Sequence, residues 1–90
     1  MPVVKFTANL KRFYPTLGTL EVESDSIPKL LDWLNDQFPN IKDYIVDEQG
    51  RLRKHVNIFI GNELIKDRET LSDSIGEKDE VYIMQALSGG

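Results

Sequence analysis

Hydrophobic and polar positions alternate along the start of the chain, switch to a helical period, and then alternate again. Between Val3 and Asn9, Val4, Phe6 and Ala8 fall on one side and Val3, Lys5 and Thr7 on the other. A two-residue period of this kind predicts a half-buried strand. Leu10 to Gly18, with Lys11, Arg12, Pro15 and Gly18, reads as a connecting loop. Thr19 to Ser24 resumes the alternation, Leu20 and Val22 inward against Glu21 and Glu23, and predicts a hairpin with the first strand. Then the period changes. Ile27, Leu30, Leu31, Leu34 and Phe38 make one apolar stripe at helical spacing, with Asp32, Asn35 and Asp36 opposite. Asp25 or Ser26 can cap this helix, Pro28 suits its first turn, and Pro39 stops it near Phe38. Trp33, on the flank of the stripe, reads as a core-rim residue rather than a ligand stacker.

Ile41, Tyr44 and Ile45 predict one further helical turn, and Asp47-Glu48-Gln49-Gly50 a tight turn. From Arg53 the alternation returns, with Val56, Ile58 and Ile60 inward and Asn57 and Phe59 outward. Gly61-Asn62 turns the chain into a short edge strand beginning at Glu63-Leu64-Ile65. Asp67 to Ser74 is expected to be a loop with a helical turn, and Gly76 to Asp79 another turn. Glu80 to Leu87 is the last strand, with Val81 and Ile83 inward and Tyr82 and Met84 outward. One helix with one apolar stripe covers one sheet face, which gives a two-layer α+β domain. The first and last strands are expected in parallel at the sheet centre, with the helix in the crossover. This is the β-grasp arrangement: a mixed four- to five-stranded sheet on one main helix. Residues 1–87 form the domain, and Ser88-Gly89-Gly90 a flexible C-terminal tail, residues 88–90.

Composition narrows what such a domain does. The chain has 90 residues, 11 Lys and Arg against 15 Asp and Glu, a net charge of −4, one His and no Cys. That length suits a single domain with a modest core and little room for a deep, dry active site. Without Cys there is no disulfide, no thiolate nucleophile and no Cys metal site, and His55 alone cannot build a His cluster. His55 reads as a strand-edge residue, and Asp47-Glu48 as a turn rather than a metal site. No catalytic residue and no metal ligand is expected. The acidic balance argues against nucleic-acid binding. No run approaches the roughly 18 apolar residues of a membrane span, and Met1 leads into Val3-Val4-Lys5-Phe6 without a signal-peptide pattern. A cytoplasmic binding or carrier module, with no membrane contact, is the expectation.

Three features carry candidate chemistry. Gly89 and Gly90 lie just beyond the last strand. Lacking Cβ atoms, they can thread a narrow channel, and a free Gly90 carboxylate can be delivered to a partner's ATP site and activated as an acyl-adenylate. Phe59, Tyr82 and Met84 fall on the sheet face opposite the helix, where large apolar groups suit a docking patch. A local packing cluster, or cover from Phe13 and Tyr14 of the Leu10–Gly18 loop, is the alternative. Lys11, Arg12, Arg51, Arg53 and Lys54 can form a basic collar near Leu87, at the root of the tail. It either docks on acidic partner loops or near the adenylate phosphate, or is ordinary solvated charge. The acids lie elsewhere: Glu21 to Glu48 holds eight Asp and Glu against two Lys.

Together these motifs resemble the MoaD/ThiS family of ubiquitin-like sulfur carriers over essentially the whole chain. The resemblance rests on His55-Val56-Asn57-Ile58-Phe59-Ile60-Gly61-Asn62-Glu63, on Gly76-Glu77-Lys78-Asp79-Glu80-Val81 at the turn into the last strand, and on the terminal Gly-Gly. The Arg53-Lys54-His55 lead-in looks most like the members that carry sulfur for cysteine synthesis. The resemblance implies a carrier adenylated at Gly90 by an E1-like enzyme that uses ATP, the carrier itself binding no cofactor. A sulfur donor then converts the adenylate to a thiocarboxylate, which passes sulfur to an accepting synthase in cysteine, molybdopterin or related biosynthesis. By the same carry-over Gly90 is the modified residue, with Gly89 and Ser88 threading the channel. Phe59, Tyr82, Met84, Leu87, Arg53 and Lys54 are the expected partner-binding residues. The chief alternative is a ubiquitin-like modifier joined through Gly90 to target lysines. A small subunit held permanently in a synthase, and a plain interaction domain with an incidental Gly-Gly, are further alternatives.

Overall fold

In the computed structural model, which describes residues 1–85, the first and last strands pair in parallel at the middle of a five-stranded sheet. Strand β1 is Val3–Phe6, β2 Leu20–Glu21, β3 Val56–Ile60, β4 Glu63–Leu64 and β5 Glu80–Gln85, in the order β2-β1-β5-β3-β4. Among the described residues the β1–β5 pair is parallel and the other pairs are antiparallel. Helix α1 is a single turn, Ala8–Lys11, followed by α2, Ile27–Gln37, and the short α3, Ile41–Ile45. This is an α+β, ubiquitin-like β-grasp fold.

The main helix forms as its sequence predicts. Ser26 is the N-cap and its hydroxyl accepts the Lys29 N–H at 3.3 Å, with Pro28 in the first turn. Ile27, Leu30, Leu31 and Leu34 are fully buried. They join Val4, Phe6, Val56, Ile58, Val81 and Ile83 from the sheet in one hydrophobic cluster. No polar or charged side chain is buried among the described residues, so this core is held by apolar burial alone, at about 1.5–3 kcal/mol per large side chain removed from water. Trp33 stands on the helix at 38% exposure.

Several boundaries differ from the sequence expectation. The first strand ends at Phe6, not Asn9, because the chain turns into α1 and drives Leu10 into the core. Leu10–Gly18 is therefore not a plain surface loop: Leu10 and Leu17 are both buried. The second strand shrinks from Thr19–Ser24 to Leu20–Glu21, since after the Val22 N–H donates to the Pro2 carbonyl the chain leaves for the cap of α2. The third begins at Val56 rather than Arg53, because Arg53–Val56 closes a turn through the Val56 N–H and the Arg53 carbonyl, 3.0 Å. The expected last two residues of the final strand, Ala86 and Leu87, and the 88–90 tail lie outside the described residues.

The 65–73 loop is organised by two carboxylates. Asp67 accepts the Ser72 hydroxyl at 2.5 Å, the Thr70 hydroxyl, and the Thr70 and Glu69 N–H groups at 2.9 and 3.0 Å. These donors, Ser72 first and Thr70 next, hold the Asp67 carboxyl well below the usual carboxylate range. Asp73 accepts the Lys66 and Asp67 N–H groups and is lowered for the same reason. Between them Leu71 is buried in the left-handed region, φ 56°, a costly conformation for a branched side chain that its burial and the Asp67 scaffold oppose.

Two stability predictions come from these contacts. Leu34→Ala removes a fully buried side chain from the seam between helix and sheet, and urea denaturation should show a loss of about 2–5 kcal/mol. Asp67 is favoured in its ionised form by folding, so its contribution is complete above the unfolded carboxylate pKa of about 3.9 and fades as pH falls below it. Asp67→Asn should therefore flatten the fall in unfolding midpoint between neutral pH and about pH 3. An unchanged pH profile would refute the role given to this carboxylate.

Candidate functional site

The open face of the sheet follows from strand alternation. Residues that alternate with the buried Val81 and Ile83 must point away from α2, and the register brings their neighbours into rows. Lys5, Tyr82, Phe59 and Leu64 lie opposite one another across β1, β5, β3 and β4, and Met84 pairs with Asn57 one step along. Tyr82, Met84 and Leu64 are 37%, 39% and 46% exposed, and Phe59 is partly buried among them. Leu64 has no local sequence signal for this role, because its place in the row depends on the β3–β4 register. Lys5 and Glu80 form an ion pair at 3.0 Å on the edge of the patch, an exposed contact of small energetic weight.

Phe13 and Tyr14 do not cover this face. Phe13 stacks on Tyr44 of α3 with ring centroids 5.1 Å apart, and Tyr14 meets Phe38 and Tyr44 edge to face. The Tyr14 hydroxyl donates to the Pro39 carbonyl at 2.9 Å, so the loop is bound to the helical layer. Tyr82 and Met84 remain exposed.

At its C-terminal end β5 is gripped from three sides. Gln85 is in register with Val56 of β3, and its N–H donates to the Thr7 hydroxyl at 3.2 Å. Its side-chain amide donates to the Tyr44 carbonyl of α3 at 3.4 Å. The Gln85 Oε1 atom is buried and has no partner among the described residues. Leu87, Ser88, Gly89 and Gly90, named from the sequence, lie beyond this point and outside the described residues.

The basic residues divide into two groups around that root. Lys11 and Arg12 are exposed after β1, at the sheet end where β5 finishes. Arg53 and Lys54 sit in the turn before β3, whose first residue faces Gln85. The Arg53 Nε donates to the Asp43 carbonyl at 2.7 Å, and Lys54 is exposed. Arg51 differs, because its Nε pairs with the Asp47 carboxylate at 3.3 Å. That carboxylate also accepts the Gln49 and Arg51 N–H groups, at 2.9 and 3.0 Å, and backbone donation from Arg51 above all lowers its pKa. Asp47 is thus the cap of its own turn. Arg68, which sequence reasoning passed over, reaches back to this turn and donates to Asn57 Oδ1 and to the Arg53 and Val56 carbonyls. A single Arg in a polar loop carries no periodic signal, so only the folded chain could reveal it.

The geometry offers no enclosed reaction chamber among the described residues: it offers an apolar sheet face, a clamped strand end and a basic turn beside it. No helix among the described residues is long and apolar enough to cross a membrane. Among curated proteins, none matches the chain by sequence. Solved structures do match its fold. One is a chain of the BexX/CysO complex of Amycolatopsis orientalis, 18% identical with all of both chains covered and a TM-score of 0.83. A second is Mycobacterium tuberculosis CysO, 20% identical over 97% of this chain and 100% of that one, TM-score 0.82. A third is small archaeal modifier protein 1 of Methanosarcina acetivorans, 27% identical over 99% of this chain and 95% of that one, TM-score 0.78. The ThiS family model matches residues 4–90, and with that span the chain belongs to the ThiS family of ubiquitin-like sulfur-carrier proteins.

Proposed function

We propose that this protein carries sulfur on the carboxylate of Gly90. The observation that bears most of this reading is the ThiS family match, which runs through residue 90 and so includes the Gly89-Gly90 pair. In the proposed cycle an E1-like enzyme joins the Gly90 carboxylate to the AMP portion of ATP, and pyrophosphate leaves. Sulfide sulfur then displaces AMP at the acyl carbon, and the product is a thiocarboxylate. A synthase takes that sulfur into cysteine, molybdopterin or a related product. The chain supplies no catalytic group: with no Cys in the sequence, a persulfide cannot form on it, and the terminal carboxylate is the remaining point of attachment. Gly89 and Ser88 thread the partner's channel in this reading.

Phe59, Tyr82 and Met84, now joined by Leu64, are the proposed docking face for the activating enzyme, with Leu87, Arg53 and Lys54 at its tail end. The central position of β5 supports this, because the same strand presents the apolar face and leads to the tail. The crystallised BexX/CysO complex supports a protein partner for this fold. A second reading, conjugation through Gly90 to lysines of other proteins, is favoured by the likeness to small archaeal modifier protein 1. Both readings share the adenylation step and part at the nucleophile, sulfide in one and a lysine amine in the other.

Intact mass of the protein from its own host, without reducing or alkylating treatment, separates the two. Sulfur carriage predicts a species with one oxygen exchanged for sulfur at Gly90, and conjugation predicts Gly90 in isopeptide linkage to lysines. Deleting Gly90 should abolish ATP–pyrophosphate exchange by the cognate activating enzyme and leave the melting temperature unchanged, since the described hydrophobic core is built from residues between Val4 and Ile83. Undiminished exchange would sink the carrier reading. Met84→Glu places a charge in the docking face and should weaken association by on the order of tenfold or more in a calorimetric titration. Equal affinity would remove Met84 from the interface.

A further inference from the structure

The 51–55 turn and the 65–71 loop enclose an open groove of about 650 Å³. Arg51, Arg53, Lys54 and Arg68 line it, against the carboxylates of Asp47 and Glu69. A cationic groove is unexpected on a chain of net charge −4, and two of its cations, Arg53 and Arg68, are held in place before any ligand arrives. The Arg53 Nε is fixed on the Asp43 carbonyl, and Arg68 is fixed by three acceptors of the 53–57 segment. The Asp47 carboxylate is already engaged by its own turn. Among the described residues, the two terminal nitrogens of Arg53 and the Lys54 ammonium have no acceptor. The Arg53 guanidinium, ordered through its Nε, suits bidentate capture of a carboxylate, and less side-chain freedom is lost on binding.

We propose that this groove binds an acidic protein segment, an extended stretch with several Asp or Glu side chains, belonging to the partner that handles the Gly90 end. The proposal rests on the carrier reading for the partner's identity, but not for the chemistry of the groove. Val56 links the two places: it faces Gln85 across the ladder, and its N–H bonds the Arg53 carbonyl. An acidic strand in the groove would thus lie near Gln85, the last residue of β5. Charge distribution orients the approach, because Glu21, Glu23, Asp25, Asp32 and Asp36 lie in a stretch apart from the groove and repel the same segment there. A nucleic-acid backbone is disfavoured by the net charge, and free phosphate by the openness of the groove.

The test is an amide chemical-shift titration of the full chain with an alternating Glu-Asp octapeptide, with an oligothymidine of equal charge and inorganic phosphate as the competing probes. The expected result is saturable shifts confined to residues 51–57 and 67–69 with the peptide alone. Affinity should fall severalfold as salt rises from about 50 to 300 mM. Lys54→Glu, an exposed change with no described contact to lose, should weaken peptide binding by on the order of tenfold, and Arg53→Glu with Lys54→Glu should abolish it. Shifts centred elsewhere, an unaltered Lys54→Glu affinity, or a preference for oligothymidine or phosphate would each overturn the proposal. Peptide binding requires neither the activating enzyme nor Gly90. A chain lacking Gly90 should bind the peptide unchanged, so failure of the carrier reading and failure of the groove are read separately.

Discussion

The parallel pairing of β1 with β5 is the contact on which the rest of the molecule depends. Parallel neighbours cannot be joined by a tight turn and need a crossover. Here the crossover contains everything from α1 to β4. Helix α2 must lie within it and on one face, because its single apolar stripe has only the sheet to bury against. Once β5 sits between β1 and β3, its end at Gln85 lies in the middle of the sheet rather than at an edge. Thr7, Tyr44 and Val56 can then hold Gln85 from three different elements.

A two-layer domain of this size has one covered sheet face and one open one. The covered face takes Val4, Phe6, Ile58, Val81 and Ile83, and every alternate position of the same strands must face out. Apolar residues at those outward positions, Phe59, Leu64, Tyr82 and Met84, do not contribute to the core. Helix α2 cannot reach them, and the Phe13–Tyr14 segment is tied to α3 and Pro39 instead. The molecule therefore carries an apolar surface and a strand end that converge, a form suited to being received by another protein.

Charge is distributed with the same polarity. Exposed ion pairs such as Lys29–Asp25 and Lys42–Asp32 lie on the helical layer, where they add little to stability and keep that side mixed or acidic. Arg53 and Arg68 are instead ordered by backbone carbonyls and by Asn57, an arrangement that fixes their direction without neutralising them. The Asp67 loop is part of this arrangement, since it presents Arg68 to the 53–57 segment. Loop order, cation placement and the exit of β5 are in this sense one structural unit.

Strand alternation, the stripe of α2, its Ser26 cap and the turns at Asp47 and Gly61 were all legible in the chain, because each is a local pattern repeated over neighbouring residues. The parallel placement of the outer strands in sequence was legible too, from one helix needing one sheet face. Leu10, Leu17, Val46, Leu52 and Leu71 were not. Each lies outside the long periodic stretches, with no spacing to show its direction, and each is buried. Arg68 and Leu64 escaped for a related reason, since a long-range hydrogen bond and a strand register leave no local trace. What the sequence determined by itself is the set of elements, the order in which they come and which face of each is apolar, together with the Gly-Gly end. Only the tertiary structure decided where the strands stop, which loop residues complete the core and which cations meet beside Gln85. Those outcomes depend on contacts between residues far apart in the chain, and no local spacing encodes them.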